Sequence, residues 1–175
     1  MSAGWALPGQ LDGSGRRLRE QAPFLFARRA RYVPAVQHTI ELVPAPADID
    51  DLGHVSNLVY LRWILEVALS HSAAVGWDNV AYRRLGAIWV VRRHEVDYLS
   101  SVLPEQRVAV TTWVEAVKGV SSIRRTAMRR VADGVEVCRG SSTWAFIDLA
   151  TGKPRKVPDE LRAAFPVATS VAATA

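Results

Sequence analysis

From residue 88 to residue 148 apolar positions recur at every second residue, and short polar punctuators interrupt the pattern. The runs 88–99, 107–117, 121–131 and 135–148 are rich in Val, Thr, Ile and Trp, and a period of two in such residues predicts strands. They are separated by Pro104-Glu105-Gln106, Lys118-Gly119-Val120 and Asp133-Gly134. Asp-Gly between alternating runs is a strong hairpin signal. Connections this short exclude parallel pairing, which needs crossover segments, so the four strands form an antiparallel meander.

Upstream, Val36, His38, Ile40 and Leu42 alternate with Gln37, Thr39 and Glu41, predicting a strand from residue 35 that ends at Pro44 and Pro46. From Asn57 to about Val75 the pattern is helical. Leu58, Val59, Leu61, Ile64, Leu65, Val67, Ala68 and Leu69 leave only a narrow polar stripe through Arg62, Glu66 and Ser70, so protein is expected to surround this helix on most sides. Ser56 or Asn57 is its expected N-cap and Gly76 its left-handed stop. Short helices are predicted within 77–86 and from Pro158 to about Phe165. One strand, one long helix and four antiparallel strands specify an α+β fold, with a curled sheet of about five strands wrapped around the helix.

Composition changes this picture little. Hydrophobic residues make up 49% of the 175 and charged ones 22%, as in ordinary globular chains, and no apolar run reaches a membrane span. The formal charge of +5 suggests nucleic acid, but its location argues otherwise. Residues 1–34 carry six arginines against Asp12 and Glu20, which leaves the remainder nearly neutral. This Arg-rich segment, broken by Gly and Pro, is expected to be a flexible or loosely docked extension without a signal peptide. The domain is expected at 35–166 and a tail at 167–175. The single cysteine, Cys138, cannot form an intrachain disulfide; it fits a packing role and a reducing, cytoplasmic compartment.

Candidate chemistry concentrates between the first strand and the long helix, in Asp48-Ile49-Asp50-Asp51-Leu52-Gly53-His54-Val55-Ser56-Asn57-Leu58-Val59-Tyr60-Leu61-Arg62-Trp63-Ile64-Leu65-Glu66. A polar loop delivering acids, a histidine and an asparagine onto a helix start suits the handling of an acyl group. On that stretch the chain resembles hot-dog fold acyl-thioester hydrolases, above all the Asp-x-Asp-x-x-x-His-Val-Asn-Asn-x-x-Tyr-x-x-Trp-Ile-Leu-Glu pattern of plant-type acyl-carrier-protein thioesterases. It is similar, more loosely, to the 4-hydroxybenzoyl-CoA thioesterase group. Val90-Val91-Arg92-Arg93-His94-Glu95-Val96-Asp97-Tyr98 and Thr151-Gly152-Lys153-Pro154 extend the resemblance over roughly residues 36–166.

The resemblance implies hydrolysis of an acyl-CoA or acyl-carrier-protein thioester, with no cofactor and no metal, by a homodimer or dimer of dimers. Asp50 matches the acid that acts as nucleophile or general base; as a residue it equally suits a loop cap. A main-chain N–H at or beside Asn57, at a helix N-terminus, would receive the developing oxyanion. His54 would orient or deprotonate water, or be an ordinary loop histidine. Leu52 stands where the plant-type pattern has an asparagine, which favours a simpler mechanism centred on Asp50. Glu66 is expected to pair with Arg62 four residues before it. Of His94 and Glu95, on opposite faces of one strand, Glu95 is the expected pocket residue. Tyr60, Lys118 and Ser121 are expected substrate contacts, Lys118 lying roughly where the family meets the nucleotide phosphates. Arg124 and Arg125 are further phosphate candidates, or residues of a solvated outer face.

Other chemistries lack their marks. There is no Gly-x-Ser-x-Gly elbow, no His-Glu-x-x-His, no Gly-x-Gly-x-x-Gly and no phosphate loop. A hydratase or dehydratase using Asp50 and His54, and a non-catalytic acyl-CoA-binding protein, remain as alternatives.

Overall fold

The computed structural model describes residues 31–33, 36–167 and 169–171. The expected extension lies outside the described residues except for 31–33, and the expected tail except for 167 and 169–171. Strands β1 (Arg31–Val33) and β7 (Thr169–Val171) pair antiparallel as a separate two-stranded sheet.

The main sheet contains β2 (His38–Leu42), β3 (Ala87–Tyr98), β4 (Val108–Lys118), β5 (Ser121–Arg130) and β6 (Glu136–Asp148). Its order is β2-β4-β5-β6-β3, antiparallel throughout. Helix α1 (Asn57–Ala74) lies against one face, at 18 residues about 27 Å long. Helices α2 (Asn79–Leu85) and α3 (Asp159–Ala164) are short. The fold class is the predicted one, and the element ends fall within a few residues of those expected. The four-strand meander, however, holds only for β4, β5 and β6: β3 pairs with β6 instead of β4, and segment 99–107 carries the chain across to β4.

Turn chemistry fixes the strand register. Gly119, at φ +60, is the first central residue of the two-residue turn joining β4 to β5, a conformation that disfavours a Cβ. The Asp133-Gly134 hairpin is wider than two residues. The Arg130 N–H donates to the Val135 carbonyl and the Gly134 N–H to the Arg130 carbonyl, so the loop spans 131–134.

The core divides along α1. Trp63, Ile64 and Val67 pack with Val102, Val108, Val110, Met128, Val137 and Cys138. A second cluster gathers Tyr82, Ala87, Val114, Phe146, Val157, Leu161 and Phe165. Each fully buried large side chain contributes roughly 1.5–3 kcal/mol. Cys138 is a packing residue, and burial pushes its thiol up to about 12.

One expectation fails. Within the chain α1 is covered on one side only, and Leu58, Leu65 and Leu69 are 75%, 37% and 55% exposed. The near-continuous apolar pattern therefore includes a face that this chain does not cover.

Candidate active site

The loop before α1 folds as a miniature antiparallel hairpin. The Ser56 N–H donates to the Asp48 carbonyl at 2.9 Å, Ile49 and Val55 form a β-bridge, and the Asp50 N–H donates to the His54 carbonyl at 2.8 Å. Asp51, Leu52 and Gly53 make the tip. The Gly53 N–H returns to the Asp50 carbonyl at 2.9 Å, and Gly53 takes φ +76, which suits glycine at the last position of a three-residue hairpin loop. Asp50 and His54 thus face each other across the hairpin, two residues of strand from the helix start. The Val55 N–H donates to the Val102 carbonyl at 2.9 Å and fastens the hairpin to the segment before β4.

Asp50 is exposed, and its Oδ1 accepts from the Leu52 N–H at 2.9 Å and the His54 N–H at 3.3 Å. Oδ2 has no hydrogen-bond partner among the described residues. Asp50 therefore caps the turn with one oxygen and offers the other to solvent, and the two roles weighed from sequence are compatible. His54 is half-buried beside it.

Ser56 is the N-cap of α1, although its side chain makes no cap bond. The Val59 N–H takes the Ser56 carbonyl, while the N–H groups of Asn57 and Leu58 have no acceptor among the described residues. Asn57 is exposed, and its carbonyl accepts from the Tyr98 hydroxyl at 3.3 Å. Two N–H groups without an acceptor among the described residues, at the positive end of an eighteen-residue helix and beside a carboxylate hairpin, are donors of the kind that can stabilise a carbonyl acquiring negative charge.

Four expected residues fall elsewhere. Tyr60 is only 3% exposed; its ring packs edge-on against Trp63 and Tyr98 at 5.7 and 5.4 Å, and burial raises its hydroxyl pKa. Within this chain it is a core residue that supports the helix start. Glu95 faces the outer side of the sheet, paired with Arg93 at 2.6 Å. His94 is the inward residue, its Nδ1 2.8 Å from the buried Ser142 hydroxyl and its pKa lowered by burial. Strand alternation was legible, but which of the two faced α1 depended on pairing with β6. Lys118 and Ser121 close the β4–β5 turn, the Ser121 hydroxyl donating to the Lys118 carbonyl at 3.1 Å. The Asp50 hairpin adjoins the other end of β4, about 33 Å of strand away. One chain does not bring Lys118 to Asp50.

Arg62 does not pair with Glu66. Its Nη2 donates to Asp48 Oδ2 at 2.7 Å, and the Asp48 carboxylate also accepts the Ala45 N–H at 2.9 Å. The Arg62 hydrogen bond holds buried Asp48 below the usual carboxylate range, against the opposing effect of burial. Folding the hairpin back onto α1 brings Asp48 to Arg62, which sequence spacing alone could not show. Glu66 is exposed, with no ion pair among the described residues.

Arg124 also departs from expectation. It is 6% exposed, whereas Arg125 lies on the outer face and pairs with Glu115 at 2.8 Å. Both faces of β5 carry two arginines and at least one apolar residue, so alternation gave no polarity by which to choose.

Among the described residues no His, Cys, Asp or Glu group is arranged to hold a metal ion, and no single helix is long and apolar enough to cross a membrane.

The family model described as thioesterase-like superfamily matches residues 44–165. The chain is similar to a chloroplastic acyl-[acyl-carrier-protein] hydrolase of Cuphea viscosissima, 30% identical over 58% of this chain and 26% of that one. It is also similar to a chloroplastic oleoyl-acyl carrier protein thioesterase of Arabidopsis thaliana, 25% identical over 55% and 28%. The chain thus spans about a quarter of the length of these curated relatives. Among solved structures, a 1,4-dihydroxy-2-naphthoyl-CoA thioesterase from Synechocystis superposes with a TM-score of 0.68 at 15% identity, covering 74% of this chain and 95% of that one. At that identity the match shows the hot-dog fold.

Proposed function

The chain belongs to the thioesterase-like superfamily, and on that premise we propose that it hydrolyses acyl thioesters to a free acid and a thiol. The observation that carries this reading is the Asp50 hairpin closed beside the free N–H groups of Asn57 and Leu58. Asp50 acts as general base on water or as nucleophile. The thioester carbonyl is polarised at the start of α1, where the tetrahedral oxyanion is stabilised by N–H donors and the helix dipole. His54, opposite Asp50, helps orient the water.

Acyl-CoA is the proposed substrate, with acyl-carrier-protein thioesters as the second reading favoured by the motif and the curated relatives. The proposed location is the cytoplasm. The proposed assembly is a homodimer or dimer of dimers. Edge strand β3 presents twelve residues along its outer side, and Leu58, Leu65 and Leu69 form a bare apolar helix face, two features that favour pairing. A role for Lys118 on the nucleotide phosphates requires a second copy to bring it near Asp50.

Free-thiol release from a panel of acyl-CoA and acyl-carrier-protein thioesters tests the reading. Saturable release from either class, lost in Asp50→Asn, is the expected result. Hydration of an enoyl thioester without thiol release would support the hydratase alternative. Ligand binding without either reaction would support a non-catalytic acyl-CoA-binding protein.

A further inference from the structure

At the far end of α1 from Asn57, the C-terminal half of that helix, the inner face of β4–β6 and α3 enclose a narrow cleft. Ala68, the first helix residue lining it, lies about 17 Å along the axis from Asn57, so the cleft is separate from the Asp50 hairpin. Its walls include Trp89, Val114, Trp144, Leu161 and Phe165, with half-exposed Leu69 at the rim. Its free interior is about 40 Å³, room for about three waters.

Among the described residues Arg124 is the only charged one lining this cleft, and it is 6% exposed. Its Nη1 donates to His71 Nδ1 at 3.0 Å and approaches the Thr112 hydroxyl at 3.4 Å, and its guanidinium lies 5.6 Å from the centre of the Phe165 ring. Both polar partners are neutral, and among the described residues no carboxylate pairs with it. Burial lowers its pKa to about 10, so it stays charged at neutral pH. A buried cation without a counter-charge is costly.

The neighbouring polar groups deepen the asymmetry. His71 accepts from Arg124 through Nδ1, so its Nε2 carries the proton. Among the described residues that Nε2, the Tyr82 hydroxyl, Trp144 Nε1 and Arg162 Nε are all buried without a partner, and of these four residues Trp144 lines the cleft. Trp144 Nε1 and the Arg124 guanidinium are both donors, and the component the cleft lacks is an acceptor. The guanidinium fork matches a planar carboxylate. The small interior suits a singly charged head and its first carbons, and the remainder of an apolar body would leave past Leu69 at the open rim.

We infer that this cleft binds a carboxylate-bearing ligand, its carboxylate on Arg124 and its apolar body against Trp89 and Phe165. The site is independent of the thioester chemistry and does not rest on it.

Titration of the full-length protein with octanoate, followed by tryptophan emission, tests the site, with octan-1-ol as the uncharged control. Octanoate should give saturable binding at least tenfold tighter than the alcohol and should raise the melting temperature. In Arg124→Met, shown by circular dichroism to be folded, octanoate should bind at least tenfold more weakly and the preference over the alcohol should vanish. Equal affinities for the two probes in the wild-type protein would overturn the inference, even if the variant does not fold. So would unchanged octanoate affinity in folded Arg124→Met, or no saturable octanoate binding in the millimolar range.

Discussion

Arg62 of α1 donates to Asp48 across fourteen residues of chain, 2.7 Å from Nη2 to Oδ2. The pair ties the base of the Asp50 hairpin to the second turn of the helix whose N–H groups face the proposed thioester. The positions of the proposed base and the proposed oxyanion donors are thereby coupled. Because Asp48 is buried while Arg62 is half-exposed, the two ends contribute unequally. Asp48→Ala should cost about 2 kcal/mol by leaving the Ala45 N–H and Arg62 without their acceptor, and Arg62→Met about 1 kcal/mol. Glu66→Gln should stay within about 0.5 kcal/mol. Urea unfolding of the three variants checks the ranking, and an equal loss in Glu66→Gln would contradict the pairing.

Asp50→Asn separates turn from chemistry. The asparagine Oδ1 still accepts from the Leu52 and His54 N–H groups, so the melting temperature should move by no more than about 2 °C. Loss of the charged oxygen should lower kcat/KM for thioester hydrolysis about 100-fold or more. A variant as fast as wild type would leave Asp50 as a turn residue alone.

His71 gives the fold an acid limit. Burial first, then the charges of Arg124 and His38, lower its pKa from 6.5 to about 4. Below pH 6.5 the unfolded chain binds the proton before the folded one does. Stability from this group is therefore complete above about pH 6.5, falls as the pH drops to about 4, and is level below that. The slope is at most about 1.4 kcal/mol per pH unit and the total on the order of 3 kcal/mol. Denaturation midpoints from pH 7 to pH 4 should fall less steeply in His71→Gln than in the wild type.

Gly140 of β6 lies under α1, and a Cβ there would stand 3.0 Å from Ile64 Cδ1. Ile64 is fully buried and has little room to retreat. Gly140→Ala should cost about 1–2 kcal/mol, and adding Ile64→Val, which removes that methyl group, should recover part of it. Thermal unfolding of the two single variants and the double variant measures the coupling.

The bare face of α1 and the free edge of β3 predict association. Sedimentation velocity at micromolar concentration should give a species of at least twice the 19.2 kDa chain mass. A monomer at that concentration would count against the proposed pairing.

Much of this was written in the residues themselves. Periods of 2 and 3.6 in apolar positions, with glycine at 76 and 119, determined the elements and the antiparallel pairing of β4, β5 and β6, because these signals act over a few residues. That β3 pairs with β6 and not with β4 was left to the tertiary structure. The Asp50–His54 loop was legible for the same reason: its acid, glycine and helix start are neighbours in the chain. What the tertiary structure alone decided was which faces met. Alternation could not say whether His94 or Glu95 turned inward, since that depends on pairing with β6. The near-continuous apolar pattern of α1 could not reveal that Leu58, Leu65 and Leu69 are left uncovered. Nor could spacing show that Arg62 would leave Glu66 for Asp48, or that Arg124 would lie buried beside His71. Contacts between residues far apart in sequence are set by chain folding and packing, on which local period carries no information.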